Sequence, residues 1–271
     1  MDCLERVPYS KRIRMVTPSH IILERLWRED PYILDPEIIL PSTHPQSVRV
    51  QSILRDIVQG MHTGLGLNRH CYVSSNGSED ALLVSREYRK RPKESIIKFG
   101  TSHLEGLNWE VMLVESHVVN AEYHNNGKIV VYTGILDYCN SDIDIATFLA
   151  HEVGHGVAWH VSEYLVIYAL VRPFYYVPKL SIIADRVYKY ILRRGELEAD
   201  YIGLMLMASA GYDPQVAPYF YERICDYKED LFETHPSGET RARSLQQNEV
   251  MGEAMEIYKG VRSRHEVKSF V

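Results

Sequence analysis

The sequence predicts an α+β domain that is mainly α, and three observations carry the prediction. Apolar residues recur at helical spacing through Ile143, Ile145, Ala146, Phe148, Leu149 and Val153, and again from Ile202 to Met207. A single cluster of extended, β-branched segments lies between Trp109 and Tyr132. The 271 residues, 45% hydrophobic and 24% charged, contain no internal repeat and no low-complexity linker, which suits one sizeable core.

In chain order, residues 1–46 read as a peripheral, proline-rich N-terminal arm, with a short helix expected around Ile21–Arg28. Residues 47–260 form the domain and 261–271 a C-terminal tail. Ser47 is the expected N-cap of a helix that carries Val50, Ile53, Leu54, Ile57, Val58 and Met61 on one side and ends before Gly64-Leu65-Gly66. Ser78-Glu79-Asp80 caps another helix, whose C-terminal half holds Arg86, Arg89, Lys90 and Arg91. Acids first and bases last is the order that the helix dipole favours, so the basic run reads as a solvated helix end. Trp109–Val114 and His117–Tyr123 read as extended, Asn125-Asn126-Gly127 as a tight turn, and Lys128–Tyr132 as the returning strand. The result is a small antiparallel sheet whose edge, at Ile129, Val130, Val131 and Tyr132, is expected to pair with an extended peptide substrate.

The chemistry is carried by His151-Glu152-Val153-Gly154-His155, an H-E-x-x-H motif inside a helical pattern that opens with Ser141 and Asp144 in capping-box spacing. Residues four apart share a helix face, so both imidazoles can address one ion. Glu152 lies about 100° further round, where it can meet a water on that ion without ligating it. A catalytic zinc site needs one more protein ligand and an open position. Glu196 and Asp200 open a second helical stretch that stops at Gly211, and they also stand four apart, while Glu198 points elsewhere. One of the two carboxylates can bind the metal while the other accepts the free ring N–H of a ligand histidine.

Other classes are disfavoured. A net charge of −6 supplies no basic field for nucleic acid. Cys3, Cys71, Cys139 and Cys225 are scattered, without a C-x-x-C pair, and form neither a disulfide framework nor a cysteine metal site. There is no G-x-S-x-G, no transmembrane run and no apolar signal segment. Val161–Val177, rich in Leu, Val and Tyr but broken by Glu163, Arg172 and Pro173, suits packing in the domain or a peripheral membrane contact.

Taken together, HEVGH at 151–155 and ELEADYIG at 196–203 resemble the membrane-associated zinc metallopeptidases that include the HtpX heat-shock proteases and CAAX prenyl proteases. The likeness is greatest to the mitochondrial inner-membrane stress proteases of that group. LNWEV at 107–111, GKIVVYTG at 127–134, ASAGYDPQVAP at 208–218 and THPSGETR at 234–241 agree in order, so the resemblance spans roughly residues 40 to 260. It implies a zincin-type metallopeptidase domain holding one zinc ion per chain on His151, His155 and Glu196, with Glu152 as general base. It further implies Asp200 as the partner of a ligand histidine, His235 as a group steadying the oxyanion, and Arg241 as a supporting residue. A zinc metalloendopeptidase acting on membrane-associated or misfolded proteins in organelle quality control is the expected function, with a mitochondrial, inner-membrane-associated location and self-association among the implied properties. The chain departs from its relatives at Gly154, where alanine is usual, and at Ala121–Asn126. The N-terminal span and targeting segment expected of the mitochondrial relatives are not found in this sequence, as expected of a diverged, shortened member or of a fragment. The alternative is a catalytically silent scaffold that binds partners along 129–132.

Overall fold

The computed structural model describes residues 4–15, 38–67, 99–124, 127–225 and 235–268. The helices expected at Ile21–Arg28 and from Ser78, and residues 125 and 126 of the expected turn, lie outside the described residues. Two short strands, β1 (Leu4–Arg6) and β2 (Ile13–Met15), form an antiparallel hairpin. This part of the arm is not peripheral. Val7 is fully buried in the core cluster and Arg14 is 1% exposed.

Helix α1 (Pro45–Leu65) starts two residues before the expected cap. His44 is the N-cap and its ring nitrogen accepts the Gln46 N–H, while Pro45 takes the first position, where no N–H is needed. Val50, Ile53, Leu54, Ile57 and Met61 are buried on one face, each contributing roughly 1.5–3 kcal/mol. The helix closes on Gly66 in the left-handed conformation (φ 67°), with Gly64 still inside it.

The sheet is mixed rather than wholly antiparallel. In the order β3–β5–β4, β4 (Ala121–His124) pairs antiparallel with β5 (Lys128–Tyr132), and β3 (Glu110–Val114) pairs parallel with it. The link 115–120 carries the chain past the place that β5 will occupy. The later strand therefore inserts between the two earlier ones. That placement corrects the expected edge. Ile129, Val130, Val131 and Tyr132 belong to the central strand, their backbone is engaged on both sides, and the first three are buried. Among the described residues, the free edge beside the H-E-x-x-H helix is β4.

Six α-helices complete the described fold after the sheet. They are α2 (Asp142–Ala158), α3 (His160–Val171), the 30-residue α4 (Leu180–Ser209), α5 (Ala217–Cys225) and α6 (Gly238–Leu245), followed by α7 (Asn248–Lys268), which runs straight through the expected tail boundary. Helices α2 and α4 form the centre, with Ile145, Leu149 and Val153 of the first and Ile202, Met205 and Leu206 of the second in one buried cluster with α1. Two glycines let their backbones touch. A Cβ on Gly154 would lie 2.7 Å from the Ala199 carbonyl oxygen, and one on Gly203 would lie 2.9 Å from the His151 nitrogen. The departure from alanine at 154 thus has a packing reason that outweighs glycine's helix cost of about 1 kcal/mol.

Candidate metal centre

Helix α2 is anchored at its start by the capping box expected from Ser141 and Asp144, in which Asp144 accepts the N–H groups of Asn140 and Ser141. Two and a half turns on, His151 and His155 present their Nε2 atoms to the same point, 3.1 Å apart. Glu196 meets them from α4, with one carboxylate oxygen 3.3 Å from His151 Nε2 and the other 3.3 Å from His155 Nε2. It lies in the middle of its helix, not at the start as the sequence pattern suggested. A buried mid-helix acid gains nothing from the helix dipole and needs another partner. The three side chains offer two nitrogens and one oxygen within 4.8 Å of one another. This is the donor set of a catalytic zinc site.

Support on the two rings favours the same occupant. His151 Nδ1 donates to Asp200, 2.8 Å away, which fixes the tautomer whose Nε2 carries a lone pair. Asp200 is in turn gripped by two nitrogens of Arg241, Nε at 2.8 Å and Nη2 at 2.5 Å, and the guanidinium lies over the Tyr221 ring at 3.9 Å. Burial alone would raise the Asp200 pKa, but the Arg241 charge and the hydrogen bonds from Arg241 and His151 hold it well below the usual range. For His151, burial and the Arg241 charge push downward and are outweighed by Asp200 and Glu196, so that the ring is raised to about 9. Glu196 is likewise held low against its burial, chiefly by the His155 charge.

The partner of the second ring was not legible in the sequence. His155 Nδ1 lies 3.0 Å from Nδ1 of His160, a fully buried side chain whose Nε2 is 3.0 Å from Glu198. Five residues is not a same-face helical interval. It works because α2 ends at Trp159 in a left-handed conformation (φ 54°), and the chain turns back with His160 as the first residue of α3. Glu198 does point away from the metal donors, as expected, and its pKa is pushed down to about 2. Burial opposes that shift, while hydrogen bonds from His160 and Arg12 drive it.

Glu152 stands beside this cluster, 4.0 Å from His151 Nε2. One of its oxygens accepts the Tyr123 N–H at 2.7 Å. The Asn120 carbonyl accepts the Tyr132 N–H, and by the alternation of an antiparallel pair the Tyr123 N–H faces away from β5. Burial raises the Glu152 pKa, opposed by the two histidine charges, in the direction that suits a group that takes up and returns a proton. His235 is one-third exposed, and its Nδ1 is 2.7 Å from Glu196, so it steadies the third donor directly. Of the remaining expected site residues, Arg241 is in place behind Asp200, whereas the central strand 129–132 does not present a free edge.

Comparison with known proteins agrees with this geometry. The chain is 36% identical to mitochondrial metalloendopeptidase OMA1 of Arabidopsis thaliana over 96% of its own length and 64% of the relative's. It is 26% identical to the protein of the same name from Saccharomyces cerevisiae, over 94% of this chain and 71% of that one. Over 48% of its length it is 23% identical to the beta-barrel assembly-enhancing protease of Escherichia coli, of which it covers 32%. The model of peptidase family M48 matches residues 85–249, a stretch that contains both donor-bearing helices and the Arg241 support. The chain belongs to peptidase family M48.

Proposed function

We propose that this chain is a zinc-dependent metalloendopeptidase. The observation that carries the reading is the convergence of His151, His155 and Glu196 on one point with Glu152 alongside, its carboxylate oriented by the edge strand. A zinc ion held by the three donors would supply an acidified water and a polarised carbonyl. The chain's own residues do the rest. Glu152 takes the water proton as the oxygen attacks the scissile carbonyl carbon, and it delivers that proton to the amine nitrogen as the C–N bond breaks. Tyr123 keeps the Glu152 carboxylate oriented throughout, His235 steadies Glu196 and borders the developing oxyanion, and β4 offers the edge along which an extended peptide lies. The scaffold alternative loses its surface, because strand 129–132 is central.

The test is zinc content and casein cleavage by the purified wild type and Glu152→Gln. One zinc per chain in both, with cleavage reduced about 10²–10⁴-fold in the variant, is the expected result. Turnover retained within about tenfold would overturn the mechanism.

The mitochondrial relatives support a mitochondrial location. Among the described residues no helix is long and apolar enough to cross a membrane. The α3–α4 hairpin supports a peripheral contact instead. Leu170, Phe174, Tyr176, Ile182, Ile183 and Tyr190 are exposed along it, by 49–76%. Between Tyr164 and Gly195 the chain carries Arg172, Lys179, Arg186, Lys189, Arg193 and Arg194 against the single acid Asp185, in a protein of net charge −6. Exposed aromatic and aliphatic groups flanked by bases suit an anionic bilayer surface. Co-sedimentation with vesicles that contain anionic phospholipid should fall when Phe174, Tyr176 and Ile183 are replaced by Ser. Equal binding of wild type and variant would sink this contact.

A further inference from the structure

We infer that the N-terminal hairpin is part of the metal centre: through Arg12, Glu198 and His160 it sets the tautomer and the orientation of the donor ring of His155. The inference rests on the reading of His151, His155 and Glu196 as metal ligands.

The chain of contacts admits one assignment of protons. His155 Nε2 faces the other donors and must present a lone pair to an ion, so its hydrogen sits on Nδ1. The atom 3.0 Å from that hydrogen-bearing nitrogen is His160 Nδ1, which must therefore accept. The hydrogen of His160 is then on Nε2 and is donated to Glu198 at 3.0 Å. A neutral His160 meets both demands, and a doubly protonated one would meet only the second. Because His160 is fully buried, water has no access to replace either contact.

Glu198 can serve as the end of this relay only while its own charge is compensated, and the compensation comes from the hairpin. Arg12 Nε lies 2.8 Å from one Glu198 oxygen and Ser10 Oγ donates to the other. The far side of the same guanidinium reaches both oxygens of Glu163 on α3 at 2.7 Å. Arg12 therefore ties α3 to α4 at the level of the relay. Two residues on, Arg14 donates to the carbonyls of Val157 and Ala158 at the end of α2, at 3.2 and 2.6 Å, and lies over the Trp159 ring at 5.5 Å. It thus holds the helix end whose left-handed turn delivers His160. Arg12, Glu198 and His160 are positioning residues, and none of them is a metal donor or touches substrate.

The experiment measures zinc affinity by competition with a chromogenic chelator, together with kcat and KM on a peptide, for wild type, His160→Phe, His160→Gln, Arg12→Ala and Arg12→Lys. His160→Phe removes the acceptor and should weaken zinc binding about 10–100-fold, with kcat at sub-saturating zinc falling in parallel and KM unchanged. His160→Gln, whose amide oxygen can accept from His155 Nδ1, should recover most of the loss. Arg12→Ala should weaken zinc binding by a smaller factor of about 3–10, and Arg12→Lys should lie between it and wild type. In the wild type without metal exchange, the His155 Nδ1–H should be a slowly exchanging proton in ring-nitrogen NMR spectra, and Arg12→Ala should speed its exchange. Unchanged zinc affinity in folded His160→Phe and Arg12→Ala, with unchanged proton exchange in Arg12→Ala, would overturn the inference. An absence of zinc binding by the wild type would overturn the metal-site reading instead. If His160→Phe does not fold, the two arginine variants decide the matter alone.

Discussion

The two donor histidines of one helix are backed by different constructions. Behind His151 a carboxylate sits in direct contact, gripped by an arginine, and both Asp200 and Arg241 are buried. Behind His155 a neutral imidazole comes first, and the carboxylate and arginine follow one step further out. There Arg12 keeps about a third of its side chain exposed. The same terminal pairing, Asp or Glu with Arg, is thus reached at two depths. The comparison teaches that a ligand's environment is set by the distance of its charged partner as well as by the partner's identity. Asp200 fixes its ring with a full negative charge, whereas His155 feels Glu198 only through a polarised ring.

The largest expected effect separates the two sides most sharply. Asp200→Ala strands the buried Arg241 charge and should cost roughly 3–5 kcal/mol in urea unfolding, along with the loss of tight zinc binding. Glu198→Ala leaves Arg12 its bidentate contact with Glu163, so a smaller cost of roughly 1–3 kcal/mol is expected. Equal losses would break the comparison. An acid titration sharpens it. Glu198 has a folded pKa of about 2, below its unfolded value, so its contribution is complete above the ordinary glutamate range and is lost as pH falls from about 4 towards 2. Glu198→Gln should therefore show a flatter fall of Tm across that window than the wild type, and parallel profiles would remove Glu198 from the account. Smallest is Gly154→Ala, which presses on the spacing of α2 and α4 that both sides share. The gain of about 1 kcal/mol in helix propensity opposes an overpacking cost of 1–3 kcal/mol against the Ala199 carbonyl. A net loss of about 1 kcal/mol in thermal unfolding is expected, and a net gain would show that the helices can part.

What could be read from the residues alone divides along the same line. His151, Glu152 and His155 were legible because their geometry is local, fixed by four residues of one helix. Glu196 and Asp200 were legible as another pair four apart, and Arg241 only through the family resemblance. His160 was hidden by the left-handed turn at Trp159, which puts a residue at an off-face interval back beside the helix it has left. Arg12 was hidden by distance, since nothing near it in sequence signals a partner 186 positions away. The helical core was legible from periodicity, but not the true start of α4 at Leu180. Gly195 lies in mid-helix there, and the Tyr164 hydroxyl occupies the place that a Cβ would take. Strand order failed for a related reason. Alternation shows that β5 is a strand, while the insertion of β5 between β3 and β4 is decided by the path of the link 115–120.

The contact of Arg12 with Glu198 closes a loop of 186 residues, and that of Arg241 with Asp200 one of 41. Loops of such length close late, because the chain entropy must be overcome before either contact returns any energy. A newly made chain that has formed only α2 owns two donors, no third, and no support on either ring. The assembled metal centre is in this sense the last feature that the molecule acquires. It is also the first that local opening removes, since release of the hairpin loosens one ring while the remaining core stays folded.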